Sequence, residues 1–108
     1  WNDHPKSGRC PVCGRRGLLH AHHVVLEQQV MQIDRSLRWD IRNRWLIGYH
    51  CCHWDHHHRG TRDARLPYNK VPKAALAFAH EVLGSQAAMY FYRRYKGAPR
   101  PILQSEED

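Results

Sequence analysis

Histidine clustering is the feature that most constrains what this chain can fold into. Ten histidines occur in 108 residues, and eight of them fall within two short segments, residues 20–23 and 50–58. Imidazole and thiolate groups are the ligands that zinc prefers in small domains, and this chain supplies both. A chain of this length has room for only a small hydrophobic core. We therefore expect bound metal to contribute to its folding.

The four cysteines are spaced for metal binding rather than for a disulfide framework. Cys10 and Cys13 lie in a Cys-Pro-Val-Cys-Gly sequence, and Cys51 and Cys52 are adjacent residues among histidines. Close spacing with histidine nearby is typical of a zinc site in a reducing compartment. We therefore expect a cytoplasmic protein. A membrane location is not expected, because no apolar run approaches the roughly 20 residues that a membrane span requires.

The charge balance favours a polyanionic partner. The net charge is +7, and three of the ten acidic residues occupy the last three positions of the chain. A small domain this basic attracts polyanions, and nucleic acid, here DNA, is the commonest of them. A basic surface that serves solubility alone is the other interpretation of the charge. The candidate phosphate contacts are arginines that flank the histidine clusters: Arg38, Arg42, Arg44, Arg59 and Arg62.

The hydrophobic patterning predicts a small α+β domain. Residues 18–25 and 44–49 favour strands, and residues 26–38 carry apolar side chains at helical spacing. Residues 52–59 favour a short helix that ends at Gly60. Two further helices are predicted, one over residues 73–83 that ends at Gly84 and one capped by Ser85 that runs to about residue 96. Residues 1–9 are expected to be a loose polar leader, residues 97–108 a disordered tail, and Trp39, Trp45 and Trp54 packing residues.

The spacing of the histidines predicts a metal site with a further imidazole beside it. His53 and His57 are four residues apart, so on a helix they share one face and can bind one ion. A third ligand is expected from His22 or His23 at the end of the first strand. Successive strand residues point to opposite faces, so one of these two faces the ion and the other faces the group to be cleaved. A neutral imidazole is well suited to take a proton from water near neutral pH.

The order His22-His23-Val24, Asn43, Cys52-His53 and His57 resembles the signature of the HNH endonucleases. In that family a ββα-metal motif holds an ion between a two-stranded hairpin and a helix. The resemblance implies a metal-dependent DNA endonuclease of low sequence specificity. It assigns His22, His53 and His57 as ligands of a divalent ion (Mg, Mn, Ni or Zn). It further assigns His23 as the general base and Asn43 as a side-chain tether of the hairpin loop.

The resemblance also implies a structural zinc held by two knuckles. The family often has a second Cys-x-x-Cys ahead of the helix, but here Tyr49 stands at its first position. The expected zinc ligands are Cys10, Cys13, His50 and Cys52, with Cys51 as a substitute.

The resemblance is close over residues 10–58 and looser over residues 66–95, where the chain is similar to small bacteriophage HNH proteins. Such proteins often act with phage DNA-packaging proteins, so these are possible partners, and the host cytoplasm is the expected location. We expect one nuclease domain over residues 1–96, with the zinc knuckle and ββα core in 10–59 and supporting helices in 73–96. The alternative is a non-catalytic, zinc-stabilised DNA-binding module that serves packaging.

Overall fold

The computed structural model describes residues 6–49 and 66–101, which form a three-stranded antiparallel sheet and helices. The strands are β1 (Lys6–Arg9), β2 (Arg16–His23) and β3 (Arg44–Gly48), in the spatial order β1-β2-β3. The helices are α1 (Glu27–Ile33), α2 (Lys73–Leu83) and α3 (Ala87–Arg94). The α+β class is therefore confirmed. Within these two ranges, no helix combines the length and apolar character needed to cross a membrane.

Strand β1 corrects the prediction of a loose leader for residues 6–9. Its sequence, Lys-Ser-Gly-Arg, has no alternation of apolar and polar residues, and it lies mostly exposed at the edge of the sheet. Its backbone pairs with β2, with Arg9 opposite Arg16, so residues 10–15 form the loop of a hairpin. The sheet consequently has three strands where two were predicted. Residues 1–5 are outside the described part of the chain.

The pairing of β2 with β3 sets the direction of the two adjacent histidines. His22 lies opposite Trp45, and His23 lies opposite Arg44. Directly opposite residues project on the same side of a sheet, and adjacent residues on opposite sides. His22 therefore shares one face with Trp45, and His23 shares the other with Arg44. The predicted opposite orientation of the two histidines is present.

The connection from β2 to β3 contains a shorter helix than the predicted 26–38. Helix α1 ends at Ile33 because Asp34 adopts an extended backbone, with φ −158°. The Asp34 carboxylate accepts hydrogen bonds from the backbone nitrogen of Ser36 at 2.9 Å and from its hydroxyl at 2.7 Å. Such local bonds compete with helix formation. They begin a separate 3-10 turn, Arg35–Leu37, and a second one, Ile41–Asn43, leads into β3.

The C-terminal helices share one hydrophobic core with the sheet, and α2 lies against the 3-10 turn Ile41–Asn43. Helix α2 ends at Gly84, as predicted, where φ is +57°. Ser85 is not the cap of the last helix, because it lies in the 3-10 turn Gly84–Gln86 and α3 begins at Ala87. The core joins residues from both halves of the chain: Cys10, Val24, Val25, Val30, Trp45, Ile47, Leu66, Val71, Ala75, Phe78, Ala79, Tyr90, Phe91 and Tyr95.

Candidate functional site

The end of β2 carries His22 and His23, the predicted metal ligand and the predicted general base. His22 faces the core and is 1% exposed, and its ring makes edge contacts with Trp45 and Tyr95 at centroid distances of 6.3 and 6.4 Å. A buried imidazole needs a hydrogen-bond partner, and His22 Nε2 lies 3.0 Å from the hydroxyl of Tyr95. The position combines a ligand-type side chain with a fixed orientation.

His23 lies on the other face and is half-buried. Its Nε2 is 3.2 Å from the backbone oxygen of Arg38. A carbonyl oxygen can only accept, so Nε2 donates this bond, and in the neutral ring Nδ1 is the basic nitrogen. The ring of Trp39 covers His23 at a centroid distance of 5.6 Å. Burial lowers the pKa of His23 below its ordinary 6.5, against the smaller opposing effects of the Arg38 hydrogen bond and of Glu27. The neutral, proton-accepting form therefore predominates at neutral pH.

Asn43 holds the segment that follows the two histidines. The side chain is fully buried, and its Oδ1 accepts a hydrogen bond from the Val25 nitrogen at 2.7 Å. Its Nδ2 donates to the Val25 oxygen at 2.9 Å, and its backbone oxygen accepts from Val24 at 3.1 Å. These are side-chain bonds of the kind that the resemblance implies for this residue. Its contribution to catalysis stays a prediction.

Two tyrosines, Tyr90 and Tyr95, also bind the segment that Asn43 holds, and their hydrogen bonds were not predicted from the sequence. The hydroxyls of Tyr90 and Tyr95 both donate to the oxygen of Val24, each at 2.7 Å. The Tyr90 hydroxyl also accepts from the Leu26 nitrogen at 3.0 Å. A signal was available in principle, since a tyrosine in a core must find a partner for its hydroxyl. The sequence does not indicate which partner that is.

The hairpin loop contains the first cysteine pair in a tight turn. The Cys10 nitrogen donates to Arg15 and the Gly14 nitrogen donates to Cys10, each at 2.8 Å. Gly14 has φ +79°, a conformation that glycine adopts at little cost. Cys10 is buried and Cys13 is exposed. Zinc binding by this turn stays a prediction.

The arginines proposed as phosphate contacts have different surroundings. Arg38 forms an ion pair with Glu27, with Nε 2.6 Å from Oε1, and its guanidinium lies 4.5 Å from the centre of the Trp39 ring. Arg44 lies beside His23 across the two strands and is partly exposed.

Arg42 is held within the protein by acidic groups on two elements. It binds both carboxylate oxygens of Asp40, at 3.1 and 2.9 Å, and contacts Glu81 on α2 at 2.5 Å. These bonds lower the pKa of Asp40 and raise that of Arg42. The geometry favours a structural role for Arg42, whereas Arg44 is placed beside the histidines.

Several predicted site residues lie outside the described part of the chain: His50, Cys51, Cys52, His53, His57, Arg59 and Arg62. Trp54 and most of the predicted tail also lie there. Within residues 6–49 and 66–101, no three His, Cys, Asp or Glu side chains are close enough to hold a metal ion. His22 is thus the one predicted ligand of the divalent ion whose surroundings are described, and an imidazole is chemically suited to that role.

Trp39 corrects a further expectation. It was predicted to be a packing residue, like Trp45, yet it is 48% exposed while Trp45 is buried. It follows the 3-10 turn Arg35–Leu37, and its ring covers His23 rather than the core.

Comparison of the chain with protein families, with curated proteins and with solved structures finds no match.

Proposed function

We propose that the protein is a metal-dependent DNA endonuclease of the HNH type that hydrolyses phosphodiester bonds with low sequence specificity. The observation that carries the proposal is the arrangement of His22, His23 and Asn43. Two neighbouring imidazoles leave the end of β2 on opposite faces. The buried Asn43 side chain binds both backbone groups of Val25, two residues beyond the second imidazole. This combination supports the roles that the sequence resemblance implies for all three residues.

His23 is the general base in this proposal. Its Nε2 donates a hydrogen bond to the Arg38 carbonyl, so Nδ1 accepts a proton from the attacking water. The water oxygen bonds to phosphorus, the bond from phosphorus to the 3′ oxygen breaks, and the 3′ oxygen takes a proton from solvent, which leaves a 5′ phosphate and a 3′ hydroxyl. His22, with His53 and His57 proposed from the sequence, would hold a divalent ion, which would supply charge neutralisation to the reacting phosphate.

The basic surface supports DNA as the substrate. Contacts between arginine side chains and the DNA phosphates give affinity with little preference for DNA sequence. Arg44 is placed for such a contact because it lies opposite His23 in the sheet. We further propose that Cys10 and Cys13 bind a structural zinc together with His50 and Cys52, or with Cys51 in place of one of them. Partner packaging proteins and a cytoplasmic location belong to the same proposal.

The test is nicking of supercoiled plasmid by wild type and by His23→Ala. The protein is treated with EDTA and assayed after return of Zn²⁺ with Mg²⁺, Mn²⁺ or Ni²⁺, and circular dichroism confirms that the fold is retained. We expect at least one ion to restore nicking and His23→Ala to abolish it, while DNA binding persists. His20→Ala is the matched control, since His20 lies on the same strand but is exposed and contacts Tyr49.

Two outcomes contradict the proposal in different ways. Full nicking activity in His23→Ala would show that His23 is not the general base. If the wild-type protein binds DNA but none of the added ions supports cleavage, the protein is instead the non-catalytic, zinc-stabilised DNA-binding module.

A further inference from the structure

A chain of two hydrogen bonds connects His22 to the backbone through Tyr95. His22 Nε2 lies 3.0 Å from the Tyr95 hydroxyl, and that hydroxyl lies 2.7 Å from the oxygen of Val24. A hydroxyl has one hydrogen, and a carbonyl oxygen accepts only. Tyr95 therefore donates to Val24 and accepts from His22, so the proton of the neutral imidazole is on Nε2. The lone pair is then on Nδ1.

We propose that Tyr95 is a positioning residue that holds His22 in the tautomer and orientation in which Nδ1 binds the divalent ion. The inference rests on the proposed function, because it takes His22 to be a ligand. Histidines that bind metals commonly donate their other ring N–H to an oxygen, which fixes the tautomer and the ring plane. Here a tyrosine hydroxyl takes the place of the usual carboxylate or carbonyl, and it donates its own hydrogen to the oxygen of Val24.

The location of Tyr95 makes its hydroxyl a rigid acceptor. Tyr95 directly follows α3, its side chain is 2% exposed, and its backbone nitrogen donates to Phe91 at 2.8 Å. The next residue, Lys96, pairs through its backbone with Leu66 at 2.8 Å and with Tyr68 at 2.9 Å. The residue is thus held on both sides of its Cα.

Tyr90 provides a matched control for a purely structural effect. Its hydroxyl donates to the same Val24 oxygen at the same 2.7 Å, but its other bond is to the Leu26 nitrogen and not to His22. Tyr90→Phe and Tyr95→Phe therefore remove equivalent bonds to Val24. Only Tyr95→Phe removes the acceptor of the His22 ring.

The first measurement is the tautomer of His22, from long-range ¹H–¹⁵N spectra of ¹⁵N-labelled protein as purified, with His22→Gln used for assignment. We expect the wild type and Tyr90→Phe to carry the proton on Nε2 and Tyr95→Phe to lose this preference. A wild type with the proton on Nδ1 overturns the proposal, and this outcome does not depend on whether the tyrosine variants fold. An equal change in both tyrosine variants overturns it too, since the effect is then structural.

The second measurement is the affinity for Ni²⁺ or Mn²⁺ by titration calorimetry. Tyr95→Phe is expected to weaken binding about 10- to 100-fold, the usual effect of removing such a partner, and Tyr90→Phe to leave it unchanged. Unchanged binding by Tyr95→Phe, in a protein that still cuts DNA, overturns this inference and leaves the proposed function standing. A wild type with the Nε2 proton that binds neither ion and cuts no DNA overturns both.

Discussion

Asn43 connects the start of β3 to the segment just beyond the two histidines. Its side chain pairs with both the N–H and the carbonyl of Val25, which is itself completely buried. Replacement by alanine leaves these two backbone groups without their partner in a site where water has no access. We expect Asn43→Ala to lower the free energy of unfolding by at least about 2 kcal/mol, measured by urea denaturation.

Asn43→Asp separates the two halves of this bond pair. Aspartate retains the acceptor for the Val25 nitrogen and loses the donor to the Val25 oxygen. The aspartate variant should show protected amide exchange at Val25, and the alanine variant should not. If Asn43→Ala is as stable as the wild type and its Val25 amide exchanges at the same rate, the Asn43 side chain does not hold this segment.

The Trp39 ring lies against His23, so we expect it to limit the water that reaches the imidazole. Burial is the largest cause of the lowered pKa of His23, and the Trp39 ring is a neighbour that covers it. Trp39→Ala exposes the imidazole, which favours its charged form, so the pKa should rise toward 6.5. Trp39→Phe keeps an aromatic cover and should change it less. The measurement is an NMR titration of the His23 ring.

The sign of this shift also predicts how stability depends on pH. Because the folded pKa of His23 is below the unfolded value, the unfolded chain binds more protons between the two values. The contribution of His23 to stability is therefore present above about pH 6.5 and is lost as the pH falls through the folded pKa. Trp39→Ala should reduce this loss. A His23 pKa that is equal in wild type and Trp39→Ala would rule out the tryptophan as the cause.

At the scale of single residues, alternation along a strand was enough to predict that His22 and His23 face opposite ways. The partners of these side chains were not predictable in the same manner. Tyr95 is 73 positions away from His22 in the chain, and Arg38 meets His23 through its backbone oxygen. Contacts of that kind depend on tertiary packing and leave no local pattern in the sequence.

Among the elements, the β1–β2 hairpin depends on one backbone conformation. Gly14 has φ +79° in the loop that carries the cysteine pair, and no atom lies within 4 Å of where a Cβ would stand. The cost of Gly14→Ala is therefore conformational and not steric, about 1 kcal/mol. We expect a lower urea midpoint and weaker zinc retention in a chelator competition.

Gly17 offers a control in the same hairpin. A Cβ at this position would also meet open space, but Gly17 lies in β2 without a positive φ. Gly17→Ala should leave stability unchanged or slightly higher, because alanine reduces the freedom of the unfolded chain. Equal losses in Gly14→Ala and Gly17→Ala would show that the turn conformation is not the cause.

The elements that the sequence predicted well are those with strong local signals. Helix α2 has an alanine-rich apolar stripe and a glycine at its end, and both of its bounds agree with the prediction. The elements that were missed or overextended have weak or competing signals. Strand β1 depends on pairing at a sheet edge, and α1 ends early because the Asp34 carboxylate binds Ser36.

For the whole molecule, the net charge of +7 matters less than where the cations lie relative to the proposed site. Arg42 and Arg44 stand on either side of Asn43, and Arg42 binds Asp40 and Glu81. Arg44 lies opposite His23, where a scissile phosphate is proposed to bind. A phosphate contact releases counterions, and its loss reduces the steepness with which affinity falls as salt rises.

Arg44→Gln and Arg42→Gln therefore form a matched pair for testing the DNA surface. Both are made in the His23→Ala background so that DNA stays intact, and the dissociation constant is measured over a range of salt concentrations by fluorescence anisotropy. Arg44→Gln should reduce the slope of log affinity against log salt by about 0.9, the value for one phosphate contact on duplex DNA. Arg42→Gln should leave the slope unchanged and lower the urea midpoint, because its partners are within the protein. If Arg42→Gln reduces the slope and Arg44→Gln leaves it unchanged, DNA binds on the α2 side of Asn43 and not beside His23.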